Sequence, residues 1–520
     1  MNLQVKRLAF ILVGSILCSL MVLTAFGCAA SSAPAATGGV LKVGEIADAA
    51  SPGYPAKLMR VSSNRIAAPA IETLFITDVT GNSVPWLVKD YKEDAAAKTL
   101  TLNLNKGIKF HDGTDFNASA VKWNLEQCMS TKIPGTQAFK AVNVIDDYTI
   151  RIDLAQWDST ALSNLSQTLG MMISPAACQK NGVDWAQQNP VGTGPYQFVS
   201  WQKDTKVTYK KFASYWQKDK PFLDGIEFIP IVDSLTRQIS FRAGELDLML
   251  TNDAKSIGPL DKMGYAITRK SSGSGANGLV FDSKNSSSPF ANIKVRQAVS
   301  YAINNEQINK AVFDGQFEPA NQLIYKGHWG YNADVKGYPY DPNKAKQLLA
   351  EAGFANGFKT KILFIGIPDF KECYTAVQGY LKAVGIEAEL DGAEIARFQK
   401  TVWAGGTWEG MAMGPSTTNP DVTAMLLTRC TGGSNFYTQM LIPDDYLKAI
   451  QSAATATSFN DKKKFTQEAM KLMIDKYALQ APVYCMSDFA VSQKYVRNHG
   501  FAVSPNGAQW TPQDVWMDKK

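Results

Sequence analysis

The sequence predicts an α/β fold divided into several domains, on three observations. Segments with the two-residue period of strands alternate along the chain with segments of helical period. The stretch 341–390 reads as helix, strand, helix and strand in direct succession. The chain also has 520 residues, 45 % of them hydrophobic and 19 % charged, more than one core organises when domains run to roughly 100–200 residues. This composition excludes a disordered chain, a collagen-like repeat and a small disulfide scaffold.

Taken in order, 99–104 (TLTLNL) and 148–154 (YTIRIDL) alternate polar and apolar residues, the mark of half-buried strands. Between them, Asp115, Phe116 and Asn117 precede a helix running through Val121, Leu125 and Cys128. A second helix opens at Asp341 with Pro342 in its first turn, places Ala345, Leu348, Leu349 and Ala352 on one stripe, and stops at Gly353. Residues 359–364 then form a strand, a helix through Val377, Tyr380, Leu381 and Val384 ends at Gly385, and 386–390 alternates as the next strand. This spacing is a βαβ unit, so the C-terminal half holds an open α/β sheet. No repeat of roughly 20–50 residues recurs, which argues against a solenoid.

The N-terminus assigns the compartment. Lys6 and Arg7 precede an uncharged run from Leu8 to Gly27, the basic and apolar regions of an export signal. An uncleaved anchor is the alternative, because the run is long enough to span a bilayer once. Ala25-Phe26-Gly27 before Cys28 resembles a bacterial lipobox, in which the cysteine is acylated and becomes the new N-terminus. The small, uncharged residues 28–38 then serve as a flexible tether. Lys plus Arg exceed Asp plus Glu by 53 − 47 = 6, and loss of Lys6 and Arg7 with the signal leaves 51 − 47 = 4. A scattered excess this small gives nucleic acid nothing to bind. Beyond the anchor, Cys128, Cys178, Cys373, Cys430 and Cys485 show no CxxC spacing and read as buried thiols. The three histidines, His111, His328 and His499, lie far apart, so neither a histidine metal site nor another cofactor is expected.

Three patterns imitate chemistry. Gly273, Gly275 and Gly278 spell GxGxxG, but a strand at 279–281 follows where a dinucleotide site needs a helix. Ser119 and Lys122 match SxxK without its companion SDN and KTG motifs. His111-Asp112 is followed by Gly113-Thr114, which makes a turn the simpler account. No nucleophile with its base stands out, and the expected activity is recognition, not catalysis. A hydrolase or lyase acting on a small extracytoplasmic substrate is the alternative.

The order of short motifs resembles family 5, the peptide/nickel class, of the extracytoplasmic solute-binding proteins that serve ABC importers. The resemblance runs through 39–44 (GVLKVG), 72–75 (ETLF), 84–87 (VPWL), 104–114 (LNKGIKFHDGT), 146–152 (DDYTIRI), 189–196 (NPVGTGPY), 244–247 (GELD), 295–298 (VRQA) with 301–303 (YAI), and 338–342 (YPYDP). It implies a two-lobed periplasmic-binding-protein-like clamp with an additional inserted domain. Domain I is then discontinuous over 39–77, 196–280 and 490–520; domain II is inserted at 78–195; the opposing lobe, domain III, spans 281–489. The glycines around 278 and the chain near Asp488 become the two crossings of a hinge, the glycines absorbing the dihedral change of closure. A monomer is expected, capturing a small solute between lobes and passing it to a membrane permease.

In peptide-binding members an aromatic residue and an aspartate on a lobe III loop anchor the ligand's amino group. Aligned through Pro420, Met413 stands here at the aromatic position and Ser416 at the aspartate, and a hydroxyl cannot replace that charged contact. The candidate ligand-binding residues are therefore Tyr54, Asn277, Phe398, Trp403, Met413, Ser416, Thr417, Phe436 and Tyr437, a set that suits a peptide-like, glycosidic or aromatic solute.

Overall fold

A computed structural model describes residues 36–55, 61–271, 276–414, 419–431, 435–501, 510 and 512–518. The export signal, Cys28, Gly273, Gly275, Ser416 and Thr417 lie outside the described residues. Buried apolar side chains gather in three clusters, the largest of which runs from the six-stranded sheet onto the seven-stranded one through Met249, Phe489 and Val491.

The first sheet has seven strands in the order Ala266–Ser271, Ser487–Ser492, Leu248–Thr251, Val40–Glu45, Gly225–Pro230, Lys206–Lys211 and Tyr196–Gln202. Its central strand Val40–Glu45 runs parallel to both neighbours and sends Leu41 and Val43 into the core with no exposure. Each such side chain contributes about 2 kcal/mol on burial. The second sheet is antiparallel, ordered Val88–Asp94, Thr99–Leu104, Thr149–Leu154 and Phe139–Asp146. Thr99–Leu104 and Thr149–Leu154 each bury every second residue, as their alternation requires. Helix α1 (Ala118–Ser130) starts where Asn117 accepts from the Ala120 N–H at 3.0 Å.

The six-stranded sheet of lobe III is ordered Glu318–Pro319, Gln480–Cys485, Asn277–Phe281, Met411–Met413, Phe358–Ile365 and Ile386–Ala393. Phe358–Ile365 and Ile386–Ala393 pair in parallel across eight residues each, the βαβ unit of the sequence. Helix α2 (Pro342–Glu351) is capped by Asp341, whose carboxylate accepts from the Asn343 and Lys344 N–H groups at 3.0 and 2.9 Å. Helix α3 (Pro368–Ala383) joins the two strands, and Gly385 follows with a φ of 95°, the left-handed exit that favours glycine.

The chain passes between the first sheet and lobe III at two places. Asn277–Phe281 pairs with Met411–Met413 and Gln480–Cys485, so residues 277–280 join the lobe III sheet. Ser487–Ser492 pairs with Leu248–Thr251 and Ala266–Ser271, leaving Met486 alone between the two sheets. Gly278 has a role other than dihedral freedom. A Cβ there would lie 2.2 Å from the Ala481 carbonyl oxygen, so glycine is required by close approach of the neighbouring strand.

Candidate functional site

Domain II and lobe III face each other across a seam that contains two cavities. The larger, about 790 Å³, is lined by 131–135, Asp158, Thr160, Asn164 and 167–169 on the domain II side and by Ala424, Met425, 427–429 and Phe436 of lobe III, with Pro55 also in its wall. Helix α4 (Val422–Arg429) supplies most of the lobe III wall. Its last residue, Arg429, stacks its guanidinium carbon 4.7 Å from the Phe436 ring centroid and 5.3 Å from that of Trp403.

Behind this wall the predicted aromatic residues form one column. Phe398 meets Trp403 edge to face at 5.2 Å, and Trp403 lies 6.2 Å from Phe436. Tyr437 donates to the Met413 carbonyl at 3.2 Å and lies 3.4 Å from the Trp403 ring N–H. Phe398, Met413 and Tyr437 are buried in lobe III and do not reach the cavity; Phe436 does. Tyr54 is buried beside Pro55, its hydroxyl 3.4 Å from the Gln127 side-chain oxygen. Asn277 is buried in its strand, and neither atom of its side-chain amide has a hydrogen-bond partner. The aromatic residues were legible from their place around the loop aligned through Pro420; Arg429 and the domain II wall were missed. A lone arginine at a helix end and polar residues in a loop carry no motif.

The smaller cavity, about 270 Å³, lies along the same seam and is closed by direct bonds. The carbonyls at the end of helix α5 (Asp444–Ala454) point at domain II. Ser159 donates its N–H to the Ala454 oxygen and its hydroxyl to that of Ala453, both at 2.8 Å, and the Trp157 ring N–H donates to Ala456 at 2.7 Å. Domain II thus caps a lobe III helix whose carbonyls would otherwise lack partners. From lobe III, Trp329 donates its backbone N–H to Thr80 at 3.0 Å and its ring N–H to Gly81 at 3.1 Å.

Lys462 anchors this latch. Its ammonium pairs with Asp421, donates to the Ser159 carbonyl at 2.8 Å and lies 5.5 Å from the Trp329 ring centroid. Asp421 also caps α4, accepting from the Thr423 and Ala424 N–H groups at 2.9 and 3.2 Å. Burial acts to raise the Asp421 pKa, but the Lys462 charge and these hydrogen bonds hold it below its ordinary value. Asp421 is therefore engaged and unavailable to a ligand amine. His328 donates from Nε2 to Pro420 O at 2.7 Å and accepts the Gly330 N–H on Nδ1 at 3.0 Å. Burial pushes it down to about 4, against the opposing pull of the Pro420 bond and nearby carboxylates.

The catalytic look-alikes are occupied structurally. Lys122 donates to the Val142 carbonyl at 2.7 Å and pairs with Glu126 at 3.0 Å. Asp112 holds the turn through Thr114, and His111 bonds the Gly194 carbonyl at 2.9 Å. Cys128, Cys178, Cys373, Cys430 and Cys485 are all buried and unbridged, and burial pushes Cys128, Cys373 and Cys430 up to about 12.

Two lobes joined by two chain crossings, bonded to each other along one edge and bordering a solute-sized cleft, define a clamp of the periplasmic-binding-protein class. Residues 82–437 match the family described as bacterial extracellular solute-binding proteins, family 5 Middle, and the chain belongs to that family. It is 34 % identical over 308 residues to the glutathione-binding protein GsiB of Pectobacterium atrosepticum, covering 58 % of this chain and 59 % of the relative. GsiB of Escherichia coli strain K12 is 36 % identical over 306 residues, with the same coverage of 58 % and 59 %. The chain therefore aligns with 59 % of the length of these curated relatives. The fold matches that of DppA from Helicobacter pylori, solved in complex with the peptide STSA, at a TM-score of 0.76 and 24 % identity over 93 % of this chain and 99 % of that one. The substrate-binding protein CtaP of Listeria monocytogenes matches at 0.82 and 18 % identity, over 93 % and 100 %.

Proposed function

We propose that this protein captures a small peptide-like solute outside the cytoplasm and presents it to the permease of an ABC importer. The observation that carries this reading is the cleft of about 790 Å³ enclosed between domain II and lobe III. Its volume lies in the range of roughly 300–1,000 Å³ typical of small-molecule sites. Relatives named for glutathione and a fold neighbour solved with a peptide support a peptide-like solute. Bound solute stabilises the closed clamp, and release requires the permease to favour the open one. The mature protein acts as a monomer without covalent chemistry, held at the membrane by a lipid on Cys28 and the tether 28–38 after the signal 1–27 is removed.

Native mass spectrometry of protein purified from its host, joined to a tryptophan-fluorescence titration with glutathione and triglycine, tests the reading. A retained solute or saturable binding of one probe is expected. A protein that carries no solute and binds neither probe, or that turns a bound compound over, rejects it. Loss of radiolabelled fatty acid in Cys28→Ala checks the anchor.

A further inference from the structure

The smaller cavity of the seam is a space apart from the solute cleft. Successive residues of the segment 157–160 part the two: Trp157 and Ser159 line the smaller, Asp158 and Thr160 the larger. Its volume of about 270 Å³ is several times the roughly 30 Å³ share of one water, so a small organic molecule has room there.

Four aromatic residues line it, Tyr91 and Trp157 from domain II and Trp329 and Phe459 from lobe III. Tyr91 packs edge to face on Phe75 at 5.3 Å and Phe459 on Trp329 at 5.5 Å, yet Tyr91 keeps 38 % and Phe459 50 % of its surface exposed. The fold thus leaves two rings uncovered at a cavity where a ligand can cover them. Local structure sets charges beside these rings. Tyr91 and Glu93 stand two apart on the strand Val88–Asp94, so both side chains leave the sheet on one side. Helix α6 (Phe459–Lys471), capped by Ser458 through the Asp461 N–H at 3.1 Å, carries Phe459 and Lys462 three apart on one face.

Charge fixes the sign of the ligand. The lining carries two carboxylates, Glu93 and Asp421, against one ammonium, Lys462. Asp421 and Lys462 pair with each other, so the excess is the negative charge of Glu93. Among the described residues Glu93 forms no ion pair and receives no side-chain hydrogen bond, and partial desolvation pushes its carboxyl above the ordinary value against the pull of Lys462. An acceptor-only carboxylate beside aromatic faces suits an ammonium group, which donates to the oxygens while its carbon skeleton lies on the rings.

We propose that this cavity is a second ligand site, separate from the solute cleft, which takes a small aromatic amine with its ammonium on Glu93 and its ring against Tyr91 and Phe459. The site is complete only where domain II and lobe III meet, since each supplies part of its wall.

Calorimetric titration of the purified protein with tryptamine, its alcohol analogue tryptophol and indole-3-propionate tests this. Tryptamine should bind roughly fivefold or more tighter than tryptophol, the upper range for an ion pair open to solvent on one side, and indole-3-propionate should bind most weakly. Glu93→Gln should remove the preference for amine over alcohol, and Phe459→Ala should weaken tryptamine and tryptophol alike. Both residues are exposed, so neither variant takes apart a core. Crystals grown with 5-bromotryptamine should place the anomalous signal of bromine beside Phe459. Failure of tryptamine to bind, equal binding of amine and alcohol in the wild type, or bromine in the larger cavity alone overturns the proposal. Each of these outcomes leaves the reading of the cleft standing, because glutathione and triglycine probe that site separately.

Discussion

Two cations of lobe III face domain II across the same seam, and they are treated in opposite ways. Lys462 is saturated by Asp421, the Ser159 carbonyl and the Trp329 ring, whereas Arg429 lies beside the Trp403 and Phe436 rings and has no acceptor among the described residues. The two are joined by one helix, since Asp421 caps the first turn of α4 and Arg429 ends its eight residues. The saturated end is bonded across the seam, and the other end lines the larger cavity. The latch and the larger cavity therefore share one helix.

The comparison is broken most severely at Lys462. Lys462→Met leaves Asp421 buried without its partner and should lower stability by about 3–5 kcal/mol in urea unfolding. The double variant with Asp421→Asn should recover much of that loss, and a loss below about 1 kcal/mol would remove the latch from this account. Acid comes next. His328 is held neutral near 4, while an unfolded histidine titrates near 6.5, so the unfolded chain takes the proton first as pH falls. The stability contribution is complete above pH 6.5 and declines toward pH 4, by up to about 3 kcal/mol. His111, also pushed down to about 4 by burial, slopes the same way, so His328→Gln should flatten only part of the urea-midpoint profile.

Gly81 offers a way to open the seam without touching the cleft. Its φ is 90°, and an added Cβ would meet His328 Nε2 at 2.2 Å. Gly81→Ala should weaken closure by about 1–3 kcal/mol, visible as a larger radius in solution scattering and weaker solute binding. Trp157→Phe removes one bond to the end of α5 and should cost about 1 kcal/mol of the closed state by the same measurements. Arg429→Gln sharpens the contrast from the other side. With no acceptor among the described residues to lose, it should change stability by at most about 1 kcal/mol, the worth of its ring contacts, in thermal unfolding.

The strands and helix ends could be read directly because their causes are local. Thr99–Leu104 buries alternate residues, Asn117 and Asp341 cap the helices they precede, and Gly385 makes its left-handed exit. The aromatic column was legible only as a set. Their place around the loop aligned through Pro420 brought Phe398, Trp403, Phe436 and Tyr437 to attention, but nothing along the chain says that Phe436 faces the cavity while Phe398 and Tyr437 lie beneath it. The hinge glycines show a similar limit. Gly278 was read as a source of freedom, and its absent side chain is required instead by the Ala481 carbonyl of a strand some two hundred residues later.

The sequence by itself determined the α/β alternation, the βαβ unit of lobe III and the family to which the chain belongs. Periodicity, capping and turn chemistry act over a few residues, and ordered motifs survive in one dimension. Only the tertiary structure decided that Asp421 is engaged by Lys462 and that Arg429 has no acceptor among the described residues. Whether a charge is satisfied depends on groups that folding brings from distant segments, as Ser159 reaches Lys462 across the seam.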